Sequence, residues 1–529
     1  MAAMPWWKGA TIYQIYPRSF KDSNGDGIGD LRGAINHLTH IASLGVDGIW
    51  LSPFFTSPMA DFGYDIADFC DVDPIFGTLS DFDDLIKKAH DLGLKVIIDQ
   101  IYSHSSDQHV WFEQSRQNRT NSKADWYVWA DANPDGTPPN NWQSVFGMGA
   151  WQWDARRGQY YLHNFLVEQP DLNLHNPDVQ NAILDVTKFW LDRGVDGFRL
   201  DALNFGMHDP ELKDNPVETV FKRPPTRPFD FQRHVNSMSH PDIPAFLERI
   251  RAVIDHYPGR FTVAEVGGPF PMAEMKAFTD GDKRLNSAYA FDFLYAADLS
   301  ADLIRTTLAE WPGEPHEGWP SWAFSNHDAP RAVTRWRGTC DEARYAKLLC
   351  MVLASFRGNI FVYQGEELGL PQAHVPFEDL QDPEAITNWP ETLGRDGART
   401  PMPWNQANLC AGFSTEKPWL PVDDRHISLS VTAQNNDDNS VLNFYRRMIA
   451  LRNGSAALRY GDISFNEDTP ELLCVERTDG TEIRRCVFNL TNAPLALPAG
   501  YDKAAAIAVG EPIVNGMLPA YSGFISTAL

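Results

Sequence analysis

An α/β architecture, a (β/α)8 barrel with an inserted lid domain and a C-terminal antiparallel β-sandwich, is what this 529-residue sequence predicts. Three observations predict it. The stretches "IASLGVDGIWLSP", "AHDLGLKVIIDQ" and "WLDRGVDGFRLDA" repeat one plan: the end of a helix, a glycine, then an apolar strand. Those strands are apolar enough to be buried on both faces, which calls for parallel pairing with helical crossovers. Further strand candidates bring the number to eight, and polar residues cluster at strand ends, where such a barrel builds its site.

In chain order, Thr11 to Tyr16 opens the barrel and the "GIWL" of the first repeat follows. Before the second repeat, Phe82, Leu85, Ile86, Ala89 and Leu92 recur at helical spacing, and Gly93 supplies the left-handed stop. Residues 105–173, rich in Asn, Pro, Trp and Gly, then form an interruption long enough to be an inserted domain. The flanking segments 1–104 and 174–455 are assigned to the barrel. Asn176 and Pro177 read as N-cap and first-turn residues of the helix that Gly194 closes before the fourth strand. Phe261 to Glu265, Ala288 to Asp292, Trp322 to His327 and Asn359 to Tyr363 complete the set. An irregular, Pro-rich excursion covers about 366–437, and "SVLNFYRRMIALRNG" reads as the last barrel helix. From about residue 456 the chain alternates and turns like antiparallel strands, so 456–529 is expected to be a β-sandwich.

The balance of 70 acidic to 45 basic side chains, a formal charge of −25, speaks against nucleic acid as a partner. The opening "MAAMPWWKGATIYQIYPRSF" lacks a charged segment followed by a long apolar core, and no run of about 18 apolar residues occurs, so secretion and membrane spanning are not expected. Six scattered cysteines without a CxxC pair read as reduced thiols in a cytoplasmic protein. Seventeen Trp suit large cores and also stacking on sugar rings.

The stretch "GVDGFRLDA" plants Arg199 and Asp201 on one face of a strand. Asp201 and Glu265, at strand ends facing one mouth, are what glycoside chemistry needs: one carboxylate to attack an anomeric carbon and one acid to protonate the leaving oxygen. Arg199 favours the ionised form of Asp201 and opposes the rise in pKa that burial causes. A buried ion pair holding the strand weighs equally until His104, His327 and Asp328 are added at the same rim. A metal-dependent hydrolase is the rival chemistry, but there is no HxH at the first strand and no HExxH. "DSNGDGIGD" spaces Asp22, Asn24, Asp26, the Ile28 carbonyl and Asp30 as in a calcium loop, with Gly27 at the sharp turn and Gly33 where an EF-hand has Glu. The alternative is an Asn/Gly/Asp turn leaving the first strand.

In order and spacing, "DQIYSH" (99–104), "GFRLDA" (197–202), "VAEV" (263–266) and "FSNHD" (324–328) resemble the four signature regions of glycoside hydrolase family thirteen, the α-amylase family. "QPDLN" (169–173) and "GRDGARTPMPW" (394–404) resemble its oligo-1,6-glucosidase and α-glucosidase branch. The resemblance implies Asp201 as nucleophile, Glu265 as general acid/base and Asp328 as the third carboxylate. Substrate contacts are implied for Asp61, Tyr64, His104, Phe165, Arg199, His327 and Arg399, with Tyr64 stacking on the sugar and Asp61 with Arg399 closing the pocket round the non-reducing end. It also implies a structural Ca2+ or Mg2+ in the 22–30 loop and no organic cofactor. Ser103, where many α-amylases have Asn, speaks against a second calcium site. Ala202, where α-1,6-preferring members have Val, resembles the α-1,4-preferring pattern. The "RLDRD" of sucrose isomerases is absent after Asp328. The expectation is a retaining, exo-acting α-glucosidase that takes small α-glucosides and hydroxyl acceptors, as a monomer or homodimer. An α-1,6- or sucrose-directed relative and a noncatalytic carbohydrate-binding subunit are the alternatives.

Overall fold

The computed structural model describes residues 4–221, 224–311, 318–390, 392, 394–501 and 504–528. Eight parallel strands close into a barrel: β1 (Thr11–Ile15), β2 (Gly48–Leu51), β3 (Lys95–Ile101), β4 (Gly197–Asp201), β5 (Phe261–Val266), β6 (Ser287–Ala290), β7 (Trp319–Ala323) and β8 (Asn359–Tyr363). They follow chain order round the ring, and β8 closes on β1. β4 and β5 are buried along their whole length, as two-sided packing demands. Inward side chains such as Ile12, Trp50, Val263 and Phe361 fill the barrel, while Ile49, Ile98, Leu200 and Ala264 join the larger core under the helices. β7 begins three residues earlier than the sequence suggests and ends at Ala323, so His327 and Asp328 stand in the loop beyond it. Its Pro320 and aromatic residues hide the strand start from a pattern of simple apolar alternation.

Helices α1 (Leu31–Ser43), α2 (Leu79–Asp91), α3 (Pro177–Asp192), α4 (Ile243–Ile254), α5 (Pro271–Thr279), α6 (Ala301–Ala309), α7 (Glu342–Ala354) and α8 (Val441–Asn453) surround the strands. α2 starts in a capping box of Thr78 and Asp81 and buries Phe82, Leu85, Ile86 and Ala89; the chain then turns at Gly93 with φ +78°. The Asn176 side chain caps α3 by accepting from Asp178 N, with Pro177 in the first turn. Between β3 and α3 the chain forms a small sheet of Trp129–Ala130, Trp151–Asp154 and Gln159–Leu162.

Beyond α8 a short helix, Ala456–Tyr460, precedes an antiparallel sheet of β9 (Asp462–Asn466), β10 (Leu472–Thr478), β11 (Ile483–Asn489), β12 (Ala505–Val509) and β13 (Ser522–Ser526), ordered β9-β10-β11-β13-β12. A two-stranded ribbon pairs Leu495 with Leu518, and both residues pack with Cys474, Val487 and Phe524. Among the described residues, no helix is long and apolar enough to cross a membrane.

Candidate active site

Strand register builds the centre of the site. Asp99 of β3 and Val263 of β5 flank Arg199 of β4, and one inward step further along, Glu265 of β5 is level with Tyr289 of β6. The Arg199 guanidinium is fully buried and engages three carboxyls and one phenol. Nη1 donates to Asp99 Oδ1 at 2.8 Å and to Asp201 Oδ1, Nη2 pairs with Glu265 Oε1, and Nε and Nη2 reach Tyr289 Oη at 3.1 and 2.9 Å. The Trp50 ring lies 5.0 Å from it. One positive charge thus serves three buried carboxyls. Burial pushes Asp201 and Glu265 up to about 7 and Asp99 to about 6, with Arg199 opposing each rise without cancelling it. Tyr289 Oη donates to Glu265 Oε1 at 3.1 Å and the Ala202 N–H to Oε2 at 3.2 Å.

Asp328 has the opposite electrostatics. Burial acts to raise its pKa, but His327, Arg399 and Arg395 outweigh it and hold the carboxyl well below the usual range. Arg399 Nη2 donates to Asp328 Oδ1 and Nε to the His327 carbonyl, both at 2.7 Å. Gln14 Nε2 donates to His327 Nδ1 at 2.8 Å, so the ring proton sits on Nε2, facing Tyr64 Oη and Asp328 Oδ2. Burial pushes this imidazole down to about 3 and keeps it neutral. The Tyr16 and Tyr64 rings lie nearly parallel to it, with centroids 5.5 and 5.4 Å away.

These groups surround a cavity of about 390 Å³ whose wall includes Asp61, Tyr64, His104, Phe165, Asp201, Glu265 and Asp328. The structure therefore brings together residues from six separate stretches of chain. Arg199, His327 and Arg399 are fully buried behind that wall. His104 packs against Phe165 at 5.0 Å, and burial pushes its imidazole down to about 4.

One pairing differs from the sequence expectation. Asp61 is held by Arg395, not Arg399: Arg395 Nη2 donates to Asp61 Oδ1 at 2.9 Å. Arg395 is also bound by Asp382 at 2.7 Å and lies 5.0 Å over the Phe146 ring. The single turn Asp396–Ala398 separates the two arginines, sending Arg395 over the cavity and Arg399 beneath Asp328. Both occur in "GRDGARTPMPW", so sequence singled out the segment and chose the wrong member for Asp61. Gln169, which donates to Asp61 Oδ2 at 3.3 Å, was visible only as part of "QPDLN". Asp382, Phe146 and Tyr289 carry no local signal, because only the fold brings them to the site.

In the 22–30 loop, Asp22 Oδ1 accepts from the N–H groups of Asn24 and Gly25, and its Oδ2 accepts from Gly27 N and Ser414 Oγ. Asp30 caps α1 through Gly33 N and also accepts from Ser23 N. A Cβ on Gly27, at φ +86°, would lie 2.2 Å from the Lys417 carbonyl, so only glycine fits there. These bonds describe a self-sufficient turn. The donors are nonetheless hard oxygens of the kind Ca2+ takes, and the buried Asp22 and Asp30 form no ion pair with a basic side chain among the described residues.

The description "Alpha amylase, catalytic domain" belongs to the family model that matches residues 14–461. A probable α-glucosidase of Rhizobium meliloti (strain 1021) is 53% identical over 494 residues, 92% of this chain and 90% of that protein. An oligo-1,6-glucosidase of Parageobacillus thermoglucosidasius is 38% identical over 517 residues, 90% and 89% of the two chains. Among solved structures, the α-glucosyl transfer enzyme XgtA matches with a TM-score of 0.93 at 50% identity, covering 99% of this chain and 100% of its own. The trehalulose synthase MutB from Pseudomonas mesoacidophila MX-45 matches with a TM-score of 0.90 at 32% identity over the whole of both chains.

Proposed function

The chain belongs to the α-amylase family of glycoside hydrolases, in its α-glucosidase and oligo-1,6-glucosidase branch, and from that premise we propose a retaining, exo-acting α-glucosidase that releases terminal α-1,4-linked glucose from maltose and short maltooligosaccharides. The observation that carries this reading is the bridging of Asp201 and Glu265 by adjacent nitrogens of one guanidinium on one cavity wall. That span suits the separation of roughly 5–5.5 Å expected of a retaining pair.

In this mechanism Glu265 gives its proton to the glycosidic oxygen as an Asp201 oxygen bonds to the anomeric carbon and the C–O bond breaks. Glu265, now ionised, takes a proton from water, whose oxygen displaces Asp201 and restores both groups with the anomeric configuration retained. Asp328, held ionised, stabilises positive charge developing on the ring. Arg199 is a positioning residue, touching the carboxyls and not the sugar. Asp61 with Arg395 blocks the far end of the glucose site, which favours removal of one end unit at a time. An alcohol or sugar in place of water gives transglucosylation, a reading supported by the similarity to an α-glucosyl transfer enzyme.

We extend the proposal to the 22–30 loop as a Ca2+ or Mg2+ site and to a reducing, cytoplasmic setting, the latter supported by six free cysteines. Chelation should lower the thermal midpoint and Ca2+ restore it; an unchanged midpoint leaves the loop a plain turn.

The deciding experiment follows products from maltose, isomaltose and sucrose with an added alcohol. Faster glucose release from maltose, as the α anomer, with some alkyl α-glucoside is expected. Preference for isomaltose or sucrose would defeat the linkage reading, and β-glucose as first product the retaining one. Asp201→Asn should lower kcat by roughly three orders of magnitude or more; intact hydrolysis would refute the assigned nucleophile.

A further inference from the structure

Away from the catalytic carboxyls, a second group of side chains has metal-binding chemistry. A ligand atom from each of His175, His240 and Asp242 lies within 4.8 Å of the other two, the single such trio of His, Cys, Asp or Glu among the described residues. Two imidazoles and a carboxylate form a borderline-soft donor set, which suits zinc and neighbouring transition metals better than calcium. A neighbouring bond orients the first ligand: His175 Nε2 lies 2.8 Å from the His208 carbonyl and donates to it, so Nδ1 keeps its lone pair. Metal-ligating histidines are held in this way by a carbonyl on the opposite ring nitrogen. The His175 and His240 rings meet edge to face at 5.0 Å, and the buried His208 ring lies 5.3 Å from His175. The Asp242 side chain is 68% exposed and free to swing onto an ion.

We propose that His175, His240 and Asp242 bind one divalent transition-metal ion, of which zinc is the natural probe, with water completing a four-coordinate shell. The ligands come from the turn before α3 and from the approach to α4, where Asp242 is the N-cap residue. Between β4 and α4 the chain supplies Phe229, His234 and Met238 to the cavity wall, and Ser239 N is bonded to the Asn204 carbonyl at 2.6 Å. An ion at the trio therefore pins the far end of this wall segment to the start of α3. Its positive charge is welcome on a chain of net charge −25.

Calorimetric titration of the full chain, freed of metal by a chelator and held in excess Ca2+ to fill oxygen-ligand sites, tests this. One Zn2+ per chain is expected to bind, with affinity at least about tenfold weaker in His240→Ala and in Asp242→Asn. Co2+ in place of Zn2+ should give visible absorption bands that both variants lose. Because Asp242 is exposed, Asp242→Asn should keep its thermal midpoint and its metal-free activity, which separates lost binding from unfolding. No zinc uptake by the unmodified chain, or zinc affinity in both variants equal to that of the unmodified chain, overturns the site, whatever the glucosidase assays give.

Discussion

At the scale of single residues, the site depends on how one guanidinium divides its charge among three carboxyls. With Asp201 and Glu265 both near 7, the competent form holds one proton between them, so kcat/KM should trace a bell in pH, falling on the acid side as both are protonated and on the basic side as both ionise. Tyr289 Oη donates to Glu265 and so favours its ionised form. Tyr289→Phe is expected to raise the Glu265 pKa and move the basic limb to higher pH; a limb that stays or moves down contradicts this. Ala202 adopts φ 40° and ψ 37°, a left-handed conformation in which its N–H meets Glu265 Oε2. A β-branched residue is strained there by roughly 1–3 kcal/mol. Ala202→Val should therefore lower the thermal midpoint and reduce activity on maltose relative to isomaltose, read from unfolding scans and paired kcat/KM values.

At the scale of elements, the segment from β3 to α3 is tied together internally at a buried acid. Asp171 N donates to the Leu162 carbonyl and its own carbonyl accepts from Val128 N, while its side chain accepts from the backbone and side-chain nitrogens of Asn164. Burial pushes Asp171 up to about 8, above an unfolded value near 4. A raised folded pKa contributes stability that is fully present below pH ~4 and is lost as pH climbs through about 8. Chemical unfolding at pH 5 and pH 8 should show lower stability at pH 8, and Asp171→Asn should flatten the difference. Equal slopes in the two proteins would remove Asp171 as the source. Elements with local signals were legible in sequence: the cap Asn176-Pro177, the stops at Gly93 and Gly194, and the alternation of β10 and β11. The start of β7 was not, because burial of "WPSWA" inside a ring is a tertiary circumstance without a local period.

At the scale of the whole molecule, the C-terminal sheet is fastened to the barrel by buried arginine. Arg477 Nη1 donates to the Ser355 carbonyl beyond α7 and Nη2 to that of Gly461, both at 2.8 Å. Burial pushes this guanidinium down to about 9, so it is still charged near neutral pH. β13 approaches α7 so closely that a Cβ on Gly523 would lie 3.1 Å from Leu348 Cδ1. Arg477→Ala leaves buried carbonyls unpaired and is expected to cost about 3 kcal/mol or more, measured by chemical unfolding. A loss below about 1 kcal/mol would show that the sheet does not depend on this fastening.

By itself the sequence determined the barrel and pointed to Asp201, Glu265 and Asp328 as the proposed catalytic trio, because helix stops and buried strands are written in residues close together along the chain and the three carboxylates lie in motifs that resemble those of a known family. Only the tertiary structure decided which arginine meets Asp61, that Tyr289 braces Glu265, and that His175 meets His240 and Asp242. Those contacts join residues from 24 to 334 positions apart. No local period records such distances; closure of the ring and packing of its loops settle them. The same holds for the pair in "GFRLDA": sequence placed Arg199 beside Asp201, but burial and two further carboxyls decided that the charge restrains the rise in pKa without abolishing it.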